Sequence, residues 1–243
     1  MSLLAIDRVS KQFGGLAALS DVSFDVGAGE IVGLMGANGA GKTTLLALIA
    51  GNLRPTSGRI SFDGARIDGL SPAAICHRGI GRTFQIVRPF AGLSVRENVA
   101  IAVMYGPGGE RQRKRAEEKA QAILDAFGLG PRGDDLAGSL TLAGRKRLEV
   151  ARVMGTGARL VLLDEVMAGL TAAEVAETIE LVRDLKVRHG MTILIIEHVM
   201  KALLRLSDRL VVMHHGRVVA IGDPHEVAGS AEVIEAYFGK RRA

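Results

Sequence analysis

The chain has 243 residues, 48% of them hydrophobic and 23% charged, with 31 Lys and Arg against 26 Asp and Glu for a formal net charge of +5. This composition excludes a disordered, collagenous or coiled-coil protein, and the length suits one large domain with an embedded subdomain. The single cysteine, Cys76, excludes an internal disulfide and a cysteine-built zinc site, and 4% aromatics without tryptophan supply no platform for stacking single strands, so no nucleic-acid partner is expected.

Met1–Ile6 carries neither a basic n-region nor an apolar h-region, so no secretory leader is expected. From there to about Glu30, short apolar stretches alternate with Gly and Asp, as in Val22-Ser23-Phe24-Asp25-Val26, and predict strands of an antiparallel sheet. Ile31-Val32-Gly33-Leu34-Met35 is a continuous apolar run, the pattern of a parallel strand buried on both faces. A glycine-rich turn then enters a helical pattern over Thr43–Ala50, closed by Gly51, and Arg59–Asp68 predicts a hairpin.

Gly- and Pro-rich joints at 106–109 and 128–133 separate helical segments, one of them Arg111–Phe127. Residues 86–155 are therefore expected to form a mostly helical subdomain, inserted into an α/β core built from 1–85 and 156–243. Leu160–Leu163 and Thr192–Ile196 predict two more buried strands with the helix Ala172–His189 between them, the βαβ arrangement. Arg209–Met213 and Arg217–Ile221 flank His214-His215-Gly216 as a final hairpin, its histidines read as turn residues. The basic runs Arg111–Arg115 and Lys240–Arg242 read as solvated faces, and no apolar run approaches the roughly 20 residues that span a bilayer.

Gly36-Ala37-Asn38-Gly39-Ala40-Gly41-Lys42-Thr43 fits G-x-x-x-x-G-K-[ST] in full, between a buried strand and a helix. Its glycines let successive N–H groups turn inward on a phosphate, and the helix N-terminus adds partial positive charge. Lys42 is expected to reach the β- and γ-phosphates and Thr43 to ligate Mg²⁺, with Thr44 beside it, so the chain is expected to bind ATP. The second half of such a site is an acid at the end of another buried strand. Leu160-Val161-Leu162-Leu163-Asp164-Glu165 supplies it, with Asp164 toward Mg²⁺ and Glu165 polarising the attacking water.

With these motifs placed, the chain resembles the ATP-binding cassette (ABC) ATPases over almost its whole length. Within that family it is most similar to the nucleotide-binding subunits of branched-chain amino acid importers, through the Thr-Phe-Gln and Leu-Ser-Val-Arg-Glu-Asn stretches of Arg82–Asn98. The resemblance implies a P-loop NTPase core with a parallel sheet, an N-terminal antiparallel β subdomain and an inserted α-helical subdomain. It implies a Q-loop at Gln85, touching Mg²⁺ or the attacking water, and a γ-phosphate contact from His198. It further implies a D-loop at Ala168-Gly169-Leu170-Thr171 and adenine stacking on Phe13. The family's signature falls on Leu140-Thr141-Leu142-Ala143-Gly144, where Thr141 replaces serine as hydroxyl donor. Ala143 keeps the backbone N–H of the glycine it replaces but resists positive φ and adds a methyl. Val166 stands where many relatives have proline.

The implied activity is ATP hydrolysis by two head-to-tail cassettes, identical or paralogous, each completing the other's site and driving a membrane permease from the cytoplasmic face of the plasma membrane. The segment Arg88–Asn98 is then expected to meet the permease, with Pro89, Phe90, Leu93 and Val95 either lining a docking cleft or filling a subdomain core. An exporter-type cassette for lipid or lipopolysaccharide, and a nucleotide switch that hardly hydrolyses, remain alternatives. A soluble cassette protein of DNA repair or translation is disfavoured, because 243 residues hold neither two cassettes nor a long coiled-coil insertion.

Overall fold

The computed structural model describes residues 2–84, 88–230 and 233. In chain order the elements are β1 (Ser2–Phe13), β2 (Leu16–Gly27), β3 (Ile31–Gly36), α1 (Lys42–Ile49), β4 (Ser57–Phe62), β5 (Ala65–Arg66), α2 (Pro72–His77) and β6 (Ile80–Arg82). They continue with α3 (Val95–Tyr105), α4 (Arg113–Ala126), α5 (Leu142–Gly155), β7 (Leu160–Asp164) and α6 (Ala172–His189). The last are β8 (Thr192–Ile196), α7 (Met200–Leu206), β9 (Arg209–His214), β10 (Arg217–Gly222) and α8 (Pro224–Gly229). Contacts group these into two compact units, 1–72 with 183–243, and 73–182.

In the first unit β1 lies between β2 and β4 in an antiparallel sheet that β5 extends. Alternation puts Leu4, Ile6 and Val9 of β1 and Val22, Phe24 and Val26 of β2 inward, with Asp7, Arg8 and Asp25 toward water. A second layer centres on β3, which is buried at all six positions because β8 and β9 flank it in parallel. Parallel pairing carries β3 and β8 to the same edge: Leu34 lies opposite Ile196, so the chain leaves both strands together, at Gly36 and at Glu197. Helix α1 seals this layer with Leu45, Leu46 and Ile49, all fully buried. The β9–β10 hairpin turns at His215 and Gly216, both with positive φ.

In the second unit α3 packs on α4 and α5 around Val95, Val99, Ala116, Ala120, Leu124, Leu148 and Ala151, none of them accessible to solvent. A reciprocal cap opens α3: the Ser94 hydroxyl accepts from the Glu97 amide at 3.1 Å, and the Glu97 carboxylate from the Ser94 amide at 2.9 Å. This unit is not made of helices alone. It takes in β6 and β7, whose parallel pairing joins Ile80–Arg82 to Leu160–Leu162, and the start of α6. Side chains that reach from α5 to the ends of these strands explain why helices and strands cohere here. Val95 belongs to the core, whereas Phe90 stays 47% exposed with the Arg152 guanidinium 5.0 Å from its ring. Cys76 is half-buried, and burial pushes its thiol pKa up. Among the described residues no helix is long and apolar enough to cross a membrane.

Candidate functional site

The glycine loop of the first unit is a tight turn between β3 and α1. Gly36 ends β3 so close to the β9 backbone that a Cβ there would sit 2.3 Å from the Met213 carbonyl oxygen. Ala40 N–H donates to Ala37 O at 3.1 Å, a tight turn through Ala37, Asn38, Gly39 and Ala40. Gly41, at φ +100°, caps α1 in a left-handed conformation, and a Cβ on it would meet Leu19 Cδ2 at 2.6 Å and Ala18 O at 2.7 Å. The Gly216 N–H, from the β9–β10 turn, donates to Ala40 O at 3.1 Å and so braces the loop from outside the motif. Lys42 is buried and donates Nζ to Gly36 O at 2.7 Å and Ala37 O at 3.0 Å, which holds its ammonium over the loop. Thr43 is exposed and Thr44 half-buried at the start of α1, whose first N–H groups point the positive end of the helix at the loop.

His198 stands exposed in the bend between β8 and α7, one residue beyond buried Glu197. The β3–β8 register puts this bend at the sheet edge from which the loop springs. Phe13 ends β1 opposite Leu16, across the Gly14-Gly15 turn. It is 46% exposed with Lys11 Nζ 5.0 Å from its ring centre, and the strand that leaves this turn leans on Gly41 through Ala18 and Leu19.

In the second unit Asp164 ends β7 with its side chain 1% exposed. Its Oδ2 accepts from Arg82 Nη2 at 2.9 Å, while Oδ1 is buried without a hydrogen-bond partner among the described residues. Thr83 stitches the two strands: its N–H donates to Leu162 O at 2.9 Å, and its hydroxyl accepts from the Asp164 amide at 3.0 Å. The next amide, Phe84 N–H, donates to Glu149 Oε1 at 2.6 Å. Gln85, which follows, lies outside the described residues, as does the Lys240–Arg242 run. Glu165 is half-buried and has φ +53°, a left-handed conformation unusual for a residue with a Cβ.

Helix α5 opens at the stretch that resembles the signature. Thr141 is its N-cap, with the hydroxyl oxygen accepting from Gly144 N–H at 3.2 Å, which leaves the hydroxyl proton to donate elsewhere. Ala143 is the second helical residue and is not left-handed, so the objection that alanine resists positive φ does not arise. Two buried residues further along belong to no motif. Lys146 donates Nζ to Glu165 O at 2.9 Å and to Ala168 O at 2.6 Å. Glu149 receives the Phe84 amide, and burial raises its pKa against that hydrogen bond and the charges of Arg152 and Lys146. Their only signal in the sequence is indirect: a lysine and a glutamate three apart on an otherwise apolar helical stripe must find partners when buried.

Comparison with known proteins agrees with this architecture. The ABC transporter family profile matches residues 19–168. The high-affinity branched-chain amino acid transport ATP-binding protein LivG of Salmonella typhimurium is 37% identical over 250 residues, 98% of either chain. BraF of Pseudomonas aeruginosa, described in the same terms, is 35% identical over 98% of each. Among solved structures, a nucleotide-free ATP-binding cassette from an ABC transporter superposes with a TM-score of 0.89 at 32% identity, over 99% of this chain and 100% of the other. The ADP conformation of the cassette MJ1267 gives 0.88 at 31%, over the same shares. The chain belongs to the ABC transporter family and is one of its ATPase cassettes.

Proposed function

We propose that the chain is the energising subunit of an importer for branched-chain amino acids or a related small solute, working at the inner face of the membrane against permease subunits. The observation that carries this reading is the 35–37% identity to LivG and BraF proteins along nearly the entire chain, and not only across the nucleotide motifs.

In this reading Gly36, Ala37, Asn38, Gly39, Ala40 and Gly41 cradle the phosphates with backbone N–H groups, and Phe13 stacks on adenine. Lys42 exchanges two loop carbonyls for phosphate oxygens. Asp164 fits a divalent cation: Arg82 holds Oδ2, and the buried Oδ1 has no other partner among the described residues. Thr43, Asp164 and Gln85 would hold Mg²⁺, which when bound neutralises phosphate charge. Glu165 orients and polarises the attacking water, and His198 donates to the γ-phosphate. A second cassette, identical or paralogous, covers that phosphate with the Thr141 hydroxyl and the Ala143 N–H of its own α5. The γ-phosphate contacts then favour the closed pair, and hydrolysis removes them.

Two variants and one assembly test the reading. Lys42→Ala removes nucleotide binding at micromolar ATP, read by fluorescence titration; retained binding refutes the role of the loop. Glu165→Gln keeps ATP, loses turnover and accumulates an ATP-bound dimer, and normal turnover moves the base elsewhere. Co-purification with permease subunits, followed by ATP-dependent uptake of leucine and related small solutes into vesicles, tests the solute; uptake of none of them refutes it.

A further inference from the structure

The second unit includes a buried ammonium with no role in the proposed chemistry. Lys146 is 7% exposed and lies on the first half of α5, one helical turn beyond Ala143. Its Nζ meets two backbone oxygens, Glu165 O and Ala168 O. Those oxygens belong to one turn, closed by the Ala168 N–H donating to Glu165 O at 3.2 Å and followed by Leu170 N–H to Met167 O at 3.2 Å. The turn begins at Glu165 with φ +53°, a conformation that persists only where surrounding contacts fix it. Proline, which would stiffen the chain after the acid, is absent, since Val166 stands there.

We propose that Lys146 is a positioning residue for the catalytic carboxylate: its ammonium grips the carbonyl oxygens of Glu165 and Ala168 and so holds Glu165 in the left-handed backbone from which its side chain works. Glu149, three residues on along α5, holds the Phe84 amide in the same manner, one residue before Gln85. The helix that begins at Thr141 thereby supports both segments that carry the acid and the glutamine. A displacement of its N-terminal turn is passed to Glu165 by a charged hydrogen bond instead of by loose packing. The proposal rests on Glu165 being the base.

The test uses the full chain with Lys146→Met, which keeps the length and apolar stem but not the donor, Lys146→Arg, which keeps the charge, and Glu165→Gln. Amide hydrogen exchange across 164–171 is read together with ATP affinity and turnover. Lys146→Met is expected to raise exchange at Ala168 by about tenfold or more and to lower kcat about 10²-fold, the cost of a misplaced catalytic group, while KM and ATP affinity stay within about twofold. Lys146→Arg restores most of both. If circular dichroism shows Lys146→Met unfolded, Lys146→Gln, which retains one donor group, takes its place. Unchanged exchange, or wild-type kcat with the grip removed, overturns the proposal. Turnover that survives Glu165→Gln overturns the assignment of the base and leaves the grip to be decided by exchange alone.

Discussion

Replacing Arg82 by methionine isolates the electrostatics at the end of β7. The Arg82 guanidinium is 11% exposed and the Asp164 carboxylate 1%, with 2.9 Å between Nη2 and Oδ2. Arg82→Met keeps the stem in place but strands the carboxylate, whose Oδ1 already has no partner among the described residues. Removing one member of a buried ion pair costs about 3–5 kcal/mol, because the remaining charge stays desolvated. At about 2–4 °C per kcal/mol for a chain of this size, the melting temperature falls by roughly 6–20 °C. Chemical denaturation should show a lower midpoint at unchanged slope. Arg82→Met combined with Asp164→Asn should recover most of the loss, with a coupling of at least about 2 kcal/mol. A loss below about 1 kcal/mol, the value of an exposed pair, or a cycle without coupling would refute the reasoning.

Three further outcomes are expected. Gly41→Ala forces a Cβ to within 2.6 Å of Leu19 Cδ2 and 2.7 Å of Ala18 O at φ +100°, so it should cost about 2–4 kcal/mol and weaken ATP binding at least tenfold in a nucleotide titration; an unchanged affinity counts against the loop geometry. Ala143→Gly, in the first turn of α5, should lower stability by about 0.5–1 kcal/mol, and a stabilised variant would mean that the alanine is strained after all. Burial raises the Glu149 pKa in the presence of the Phe84 amide, Arg152, Lys146 and Asp164, so the folded chain holds this proton to higher pH than the unfolded chain. Wild-type stability therefore falls as pH rises from the unfolded value through the folded one, and the penalty is complete above it. Glu149→Gln, which keeps an acceptor for Phe84 N–H, should flatten that slope; identical pH dependence in urea denaturation would contradict it.

Local patterns alone make much of this protein legible. The unbroken apolar run Ile31–Met35 demands burial on both faces, and β3 is buried at every position between two parallel neighbours. The loop from Gly36 to Thr43 and the helix after it follow from glycine spacing and period. Ala172–His189 is helical over the span its pattern sets. Each of these features is short-range, with cause and effect lying within one strand or a few helical turns.

Long-range packing chose which buried groups meet. Arg82 and Asp164 are 82 positions apart, Phe84 and Glu149 65, Lys146 and Ala168 22. A sequence gives the charge of each, but only the fold selects which opposite charge or carbonyl it meets, because a buried ion chooses its partner by proximity once water is gone. The same holds for Gly216, a turn residue by composition and a brace for Ala40 by position. The order of residues thus set the elements, while the assembled core selected which buried groups meet, since desolvation makes those pairings obligatory only after the core has formed.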